Sequence, residues 1–179
     1  MTRIALTASL LALALVGCGS GDESEPASSA TNPSTTPTEK GYLPPEVVEK
    51  REAIVAAAKS FDYERLEKLV DPKHFTYSFG ESGDPVGYWR RLEEEGHVPI
   101  LGDYLPVVFS APYARKQDTF VWPSAYAKSP SKWTEEDRQW LTNLHTEEEI
   151  QQFEQAGAYL GYRAGIRADG TWLFFVAGD

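Results

Sequence analysis

From residue 46 onward the apolar positions recur at helical spacing. Val47, Ile54 and Phe61 stand seven apart, with Val48, Val55 and Ala58 filling in beside them. That spacing predicts an amphipathic helix over 46–60, opened by Pro44-Pro45, because proline fits a first helical turn. Asp62 can cap a second, short helix over 63–70, with Leu66, Leu69 and Val70 inward and Asp71-Pro72 as its stop. The period then drops to two. Phe75-Thr76-Tyr77-Ser78-Phe79 alternates strictly with its aromatic rings on one side, the pattern of a half-buried strand. After a turn over 80–84, Asp84 and Pro85 start a third helix with Trp89 and Leu92 as its apolar positions and Gly96 as its C-terminal cap.

Prolines at 99, 106, 112, 123 and 130 exclude a long helix from 97 to 131. Within that stretch Val107-Val108-Phe109 and Thr119-Phe120-Val121-Trp122 predict short strands. Thr134 with Asp137, and Thr146 with Glu149, have capping-box spacing, which announces helices over 135–144 and 147–156. Two closing runs, 159–167 and 171–177, flank Asp169-Gly170, a favoured two-residue hairpin turn. If that turn sets the register, Ala168 faces Thr171. Ile166 then meets Leu173, Ala164 meets Phe175 and Tyr162 meets Ala177 on an apolar face. The other face pairs Arg167 with Trp172, Gly165 with Phe174 and Arg163 with Val176. There an arginine can lie on Trp172, and Phe174 can cover the bare backbone of Gly165.

Helices first, a strand, more helices and a final antiparallel pair make an α+β domain, with N-terminal helices packed on an antiparallel sheet that ends in a hairpin. The opening order is helix, short aspartate-capped helix, strand with an aromatic face, capped helix. It is similar to the start of the NTF2-like (cystatin-like) cone fold, and the closing hairpin fits that fold as well. The resemblance covers half the domain and rests on element order. The proline-rich middle, where the cone needs long curved strands, departs from it.

The chain's first residues follow another logic. Arg3 is followed by an apolar run from Ile4 to Val16, which ends in Leu15-Val16-Gly17-Cys18. As a helix that run would rise about 20 Å, against about 30 Å of bilayer hydrocarbon, so it has the length of a signal-peptide core rather than of a span. Cys18 is the one cysteine of the chain. The pattern resembles the bacterial lipoprotein signal. That resemblance implies removal of residues 1–17, lipid on Cys18, and a protein held by its lipid at the extracytoplasmic face of a cell membrane. From Gly19 to Lys40 the chain is Ser, Thr, Pro, Gly and acids, without an aromatic or large aliphatic residue. Such a stretch cannot bury enough apolar surface to offset its ordering entropy, so 18–40 reads as a lipidated cysteine with a disordered linker and 41–179 as one globular domain.

Charge and composition narrow the function. The net charge is −10, and losing Arg3 with the leader makes it more negative, which argues against nucleic acid as a partner. With no cysteine beyond Cys18, a disulfide or thiolate metal site within the domain is excluded. His74, His97 and His145 have no zinc-motif spacing, and no serine elbow or glycine-rich phosphate loop occurs, so no metal, cofactor or catalytic residue is assigned. The run Glu93-Glu94-Glu95 closes a helix, where the dipole slightly disfavours acids, and reads as side chains in water; Glu147-Glu148-Glu149 opens a helix, where acids are favoured. All five Trp, nine Tyr and eight Phe fall within 42–179, enough for a filled core and an aromatic-lined cleft. Trp89, Trp122, Tyr126, Arg163, Arg167 and Trp172 are the candidate ligand-binding set, with rings to stack and arginines to hold an anion. The expectation is a tethered binding module for a wall polymer, a small ligand or an envelope protein. The NTF2-like resemblance supplies the alternative, a small hydrolase or isomerase with an aromatic pocket.

Overall fold

The computed structural model describes residues 42–77, 83–96 and 99–178. The leader, Cys18 and the linker lie outside these, as do Ser78 and Phe79 of the expected strand, most of the expected 80–84 turn, and His97. Among these residues the architecture is α+β: six α-helices and a four-stranded antiparallel sheet that ends in a hairpin. The helices are α1 (Pro45–Lys59), α2 (Tyr63–Leu69), α3 (Pro85–Glu94), α4 (Leu105–Ser110), α5 (Glu135–Leu141) and α6 (Glu147–Ala156). The strands β1 (Ala114–Lys116), β2 (Thr119–Trp122), β3 (Arg163–Arg167) and β4 (Trp172–Val176) lie in sequence order across the sheet. The expected 75–79 strand contributes one parallel bridge, from Thr76 to Phe174 on the outer side of β4.

Caps fix the helix starts as their side chains require. Asp62 accepts from Arg65 N at 3.0 Å and Asp84 from Gly87 N at 2.8 Å. Both threonine capping boxes form in full. Gly96 follows α3 at φ 89°, the conformation glycine adopts most readily after a helix. The stripe of α1 stops one position short of the expectation. Val47, Ile54 and Ala58 are buried, but Phe61 is 52% exposed at φ 54°. Asp62 N donates to Ala57 O and Phe61 N to Ala58 O, so a left-handed residue closes α1 and swings the chain into α2. Phenylalanine occupies the place where glycine is usual.

Two further expectations are corrected. Val107-Val108-Phe109 belongs to α4, not to a strand. A π-helical turn over Ile100–Tyr104 runs straight into it, and Pro106 falls in its first turn, where a missing N–H costs nothing. Glu93 does not simply sit in water: its carboxylate accepts from Tyr63 Oη and, at 2.9 Å, from Leu101 N, joining α2, α3 and the π-helical turn.

The hairpin differs from its expected register in two places that cancel. Gly170 N donates to Arg167 O, Arg167 N donates to Thr171 O, and Gly170 sits at φ 82°. The loop is therefore three residues, Ala168 to Gly170, a turn closed by a left-handed glycine. Arg167 faces Thr171, and Ile166 faces Trp172 instead of Leu173. Leu173 is then an extra residue in β4, a bulge that restores the expected pairs Gly165–Phe174, Ala164–Phe175 and Arg163–Val176. The slip turns Trp172 to the helix side.

Phe120, Trp122, Ala164, Ile166 and Phe175 form the sheet's helix side, packed under α1 and α4 and almost wholly buried. The opposite side is covered too. A 3-10 turn, Ser124–Ala127, packs on β1 and β2, and four of the five residues of β3 are buried. This second cover is pinned to α5: Trp133 Nε1 donates to Ala125 O at 3.0 Å, while Asp137 accepts from Ser124 Oγ and, at 2.6 Å, from Lys128 Nζ. β1 forms the open edge of the sheet, with Arg115 and Lys116 exposed.

Candidate functional site

The six residues singled out from the sequence do not converge. Trp89, Trp122 and Trp172 are each 1–2% exposed, so none can stack on a ligand without unpacking the core. Trp89 meets Phe75, Tyr77 and Phe175. Trp122 meets Phe109 and Tyr113. Trp172 lies edge-on to Phe75 at 4.7 Å and donates its indole N–H to Phe174 O. Tyr126 lies on the opposite side of the sheet, with the Arg163 guanidinium 5.0 Å from its ring centre and Lys116 Nζ at 5.4 Å. Arg163 is 7% exposed and its Nη1 donates to the Gly178 and Gly161 carbonyls. Arg167 turns to Asp169 (3.1 Å) and not to Trp172, since the hairpin loop moves its partner to Thr171. The two arginines thus tie the hairpin to its own loop and to the chain beyond β4.

The histidines fall apart likewise. His74 is exposed and bonds Asp71 at 2.7 Å, which holds the Asp71 carboxyl below its usual range. His145 packs edge-on to Phe153 and Tyr159, with Nε2 3.1 Å from Tyr159 Oη, and burial pushes its pKa down. Tyr159 Oη in turn donates to Tyr162 O, so this pair is satisfied internally. Among the described residues no group of three His, Cys, Asp or Glu stands close enough to hold a metal ion.

Two places among the described residues remain, a concavity and a cluster of tyrosines. One, of about 450 Å³, lies between the first half of α1 and the β3–β4 loop, where Glu46, Glu49, Lys50, Asp71 and Asp169 surround the edge of Trp172. Its charged groups are largely committed. Lys50 donates to Leu69 O, Asp71 holds His74, and Asp169 takes Thr171 N and Arg167.

The second place is a cluster of tyrosines from α3, the π-helical turn and the residue before β3. The Tyr162 ring stacks on Phe175 at 5.2 Å and 23°, and Tyr104, from the last residue of the π-helical turn, packs against Tyr162 at 5.1 Å. Tyr88, on α3, lies 5.4 Å from Tyr77, which leads through Trp89 back to Phe175. Tyr88, Tyr104 and Tyr162 are each half-buried, and among the described residues their hydroxyls have no hydrogen-bond partner. Burial raises the Tyr162 pKa, and the Tyr104 and Tyr88 hydroxyls raise it further. A phenol hydroxyl can both donate and accept a hydrogen bond. The π-helical turn is anchored from behind: Glu93 takes Leu101 N, and a Cβ on Gly102 would lie 2.6 Å from Phe61 Cζ. Single π turns recur at functional positions in helical segments.

Sequence reasoning reached this place only in part. Tyr88 stands beside Trp89, already an aromatic candidate, and Tyr162 falls on the expected core face of the hairpin. Tyr104 lies in the proline-interrupted stretch, where no periodicity points to it.

No protein-family model matches the chain, and neither a curated protein nor a solved structure does.

Proposed function

We propose that this chain is a membrane-tethered, extracytoplasmic lipoprotein whose globular domain is a binding module, with its ligand site at Tyr88, Tyr104 and Tyr162. The tether rests on the sequence: an apolar leader ending in Leu15-Val16-Gly17-Cys18, then a linker of small polar residues. Among the described residues no helix is long and apolar enough to cross a membrane. One observation supports the binding role: half-buried tyrosines, with Tyr104 packed on Tyr162 and Tyr162 stacked on Phe175, whose hydroxyls make no hydrogen bond to a described residue and face solvent. A solvent-facing phenol can exchange its water for a ligand's polar atom.

The full chain, purified in mild detergent, tests this by co-sedimentation with purified cell-wall sacculi and with membrane vesicles. Retention on sacculi that is lost in Tyr104→Ala, with melting unchanged, is the expected result. Equal retention of wild type and Tyr104→Ala would remove the site. Labelling with palmitate in a bacterial host, lost in Cys18→Ser, is the matching test of the tether.

A further inference from the structure

We propose that Glu149 is a two-position cap: it holds the Thr146 N–H at the start of α6 while His145 is neutral, and turns to the His145 ring when that ring is protonated, so that the start of α6 responds to acid. The inference is independent of the tyrosine site.

The hydrogen bonds fix where the imidazole proton sits. Tyr162 O is a carbonyl and only accepts, so the Tyr159 hydroxyl donates to it, at 2.9 Å. The one proton of that hydroxyl is then in use. The 3.1 Å contact between Tyr159 Oη and His145 Nε2 therefore takes its hydrogen from the ring. Neutral His145 is the Nε2–H tautomer with a bare Nδ1. Protonation adds its hydrogen at Nδ1.

The surroundings decide where that new hydrogen points. The His145 side chain is 7% exposed and lies edge-on to Phe153 of α6 and to Tyr159. Gly161 closes the Nε2 side, where a Cβ would stand 2.5 Å from that nitrogen. The charged group beyond it is Arg163, at the start of β3, which donates to Gly161 O and whose charge reaches Tyr159. On the Nδ1 side stands Glu149 of α6, with Oε2 at 3.8 Å. That same oxygen accepts from Thr146 N at 2.8 Å as one half of the capping box. One oxygen thus faces two donors. The amide offers it a partial charge, whereas an imidazolium offers a full one. Glu149 is half exposed, so its carboxylate is free to turn. The other half of the box, Glu149 N to Thr146 Oγ1 at 3.2 Å, uses no carboxylate and stays closed. Burial lowers the His145 pKa while Glu149 partly raises it, so the ring stays neutral until mild acid.

The test follows the isotope-labelled full chain in mild detergent by NMR between pH 7.5 and 5, above the range where free carboxylates titrate. At pH 7.5 the His145 ring should carry its proton on Nε2. As the ring titrates, the Thr146 amide proton should move upfield with the ring's own midpoint, while the Glu149 amide holds its position. Glu149→Gln keeps an acceptor for the cap but removes the charge. In that variant the ring midpoint should fall and most of the Thr146 movement should be lost. In His145→Gln none of it should remain. A proton on Nδ1 at pH 7.5 overturns the inference, as does a wild-type Thr146 amide indifferent to pH. So does a Thr146 movement of full size in either variant, which assigns it to another group.

Discussion

Phe174 lies across the bare backbone of Gly165, its opposite number in the β3–β4 pair: a Cβ added at Gly165 would stand 2.5 Å from Phe174 Cζ. The glycine is a slot for an aromatic ring rather than a flexible point. On the same side Tyr126 packs against Phe174 at 6.0 Å, so the slot sets the height of the whole second cover of the sheet.

Gly165→Ala should therefore overpack this side and lower stability by about 1–3 kcal/mol. Chemical denaturation measures the loss. Adding Phe174→Leu, which shortens the intruding group, should recover part of it; simple additivity of the two losses would show that the contact is unimportant.

Asp137 is 3% exposed and gathers Ser124, Lys128 and Thr134. Burial pushes its pKa up, but the bonds from Lys128, Ser124 and Thr134 outweigh that and hold it below the usual carboxyl range. A depressed pKa gives stability that is present above the unfolded value and is lost as pH falls through the folded one. Unfolding midpoints should thus drop below about pH 4. Asp137→Ala should cost about 3 kcal/mol, the lower end for breaking a buried pair, because Lys128 can turn to water. It should also remove part of the acid sensitivity.

His145 acts in a higher pH range. Burial lowers its pKa while Glu149, 3.8 Å from Nδ1, partly raises it. The folded state favours neutral imidazole, so this stability is complete above the unfolded pKa of about 6.5 and declines as pH falls below it. Denaturation between pH 7.5 and 5 should show that slope, and His145→Gln should flatten it. A slope unchanged in the variant would place the titration elsewhere.

Glu93 joins three elements with one carboxylate. Burial and the bond to Glu93 push the Tyr63 phenol up to about 12. Glu93→Ala strands Tyr63 Oη and Leu101 N, which should cost about 1–3 kcal/mol. The same variant should loosen the turn that carries Tyr104, so faster amide exchange over 100–104 is expected even where the global melting shift is small. Glu93→Gln should restore most of the protection.

The starts of α2, α3, α5 and α6 were legible because each cap is a local bargain between side chains and backbone N–H groups, complete within four residues of sequence. Helix ends were less so: α5 stops at Leu141, three residues short of 144, as the chain turns toward His145. The hairpin shows the limit best. Asp169-Gly170 was correctly read as its tip, yet the loop holds a third residue, and only the bulge at Leu173 brings the pairs at 163–165 back to their expected partners. A bulge leaves no mark in a strand's own apolar pattern when the strand is covered on both sides. The same double cover hid the candidate site. Trp89, Trp122 and Trp172 looked available because sequence shows aromatic content, not which ring lies under another. Tyr104 was invisible because a π-helical turn before a proline has no periodic signature.

The open edge of the sheet also bears on how molecules meet. Strand β1 offers three residues, and two of them carry exposed cationic side chains. The far edge, beyond β4, is already met by Thr76. A second copy that tried to extend the sheet would gain only a few rungs while setting lysine and arginine against their own kind. Crowding many copies together therefore leaves this sheet self-limiting, and its contacts with neighbours fall to side-chain surfaces rather than to shared backbone.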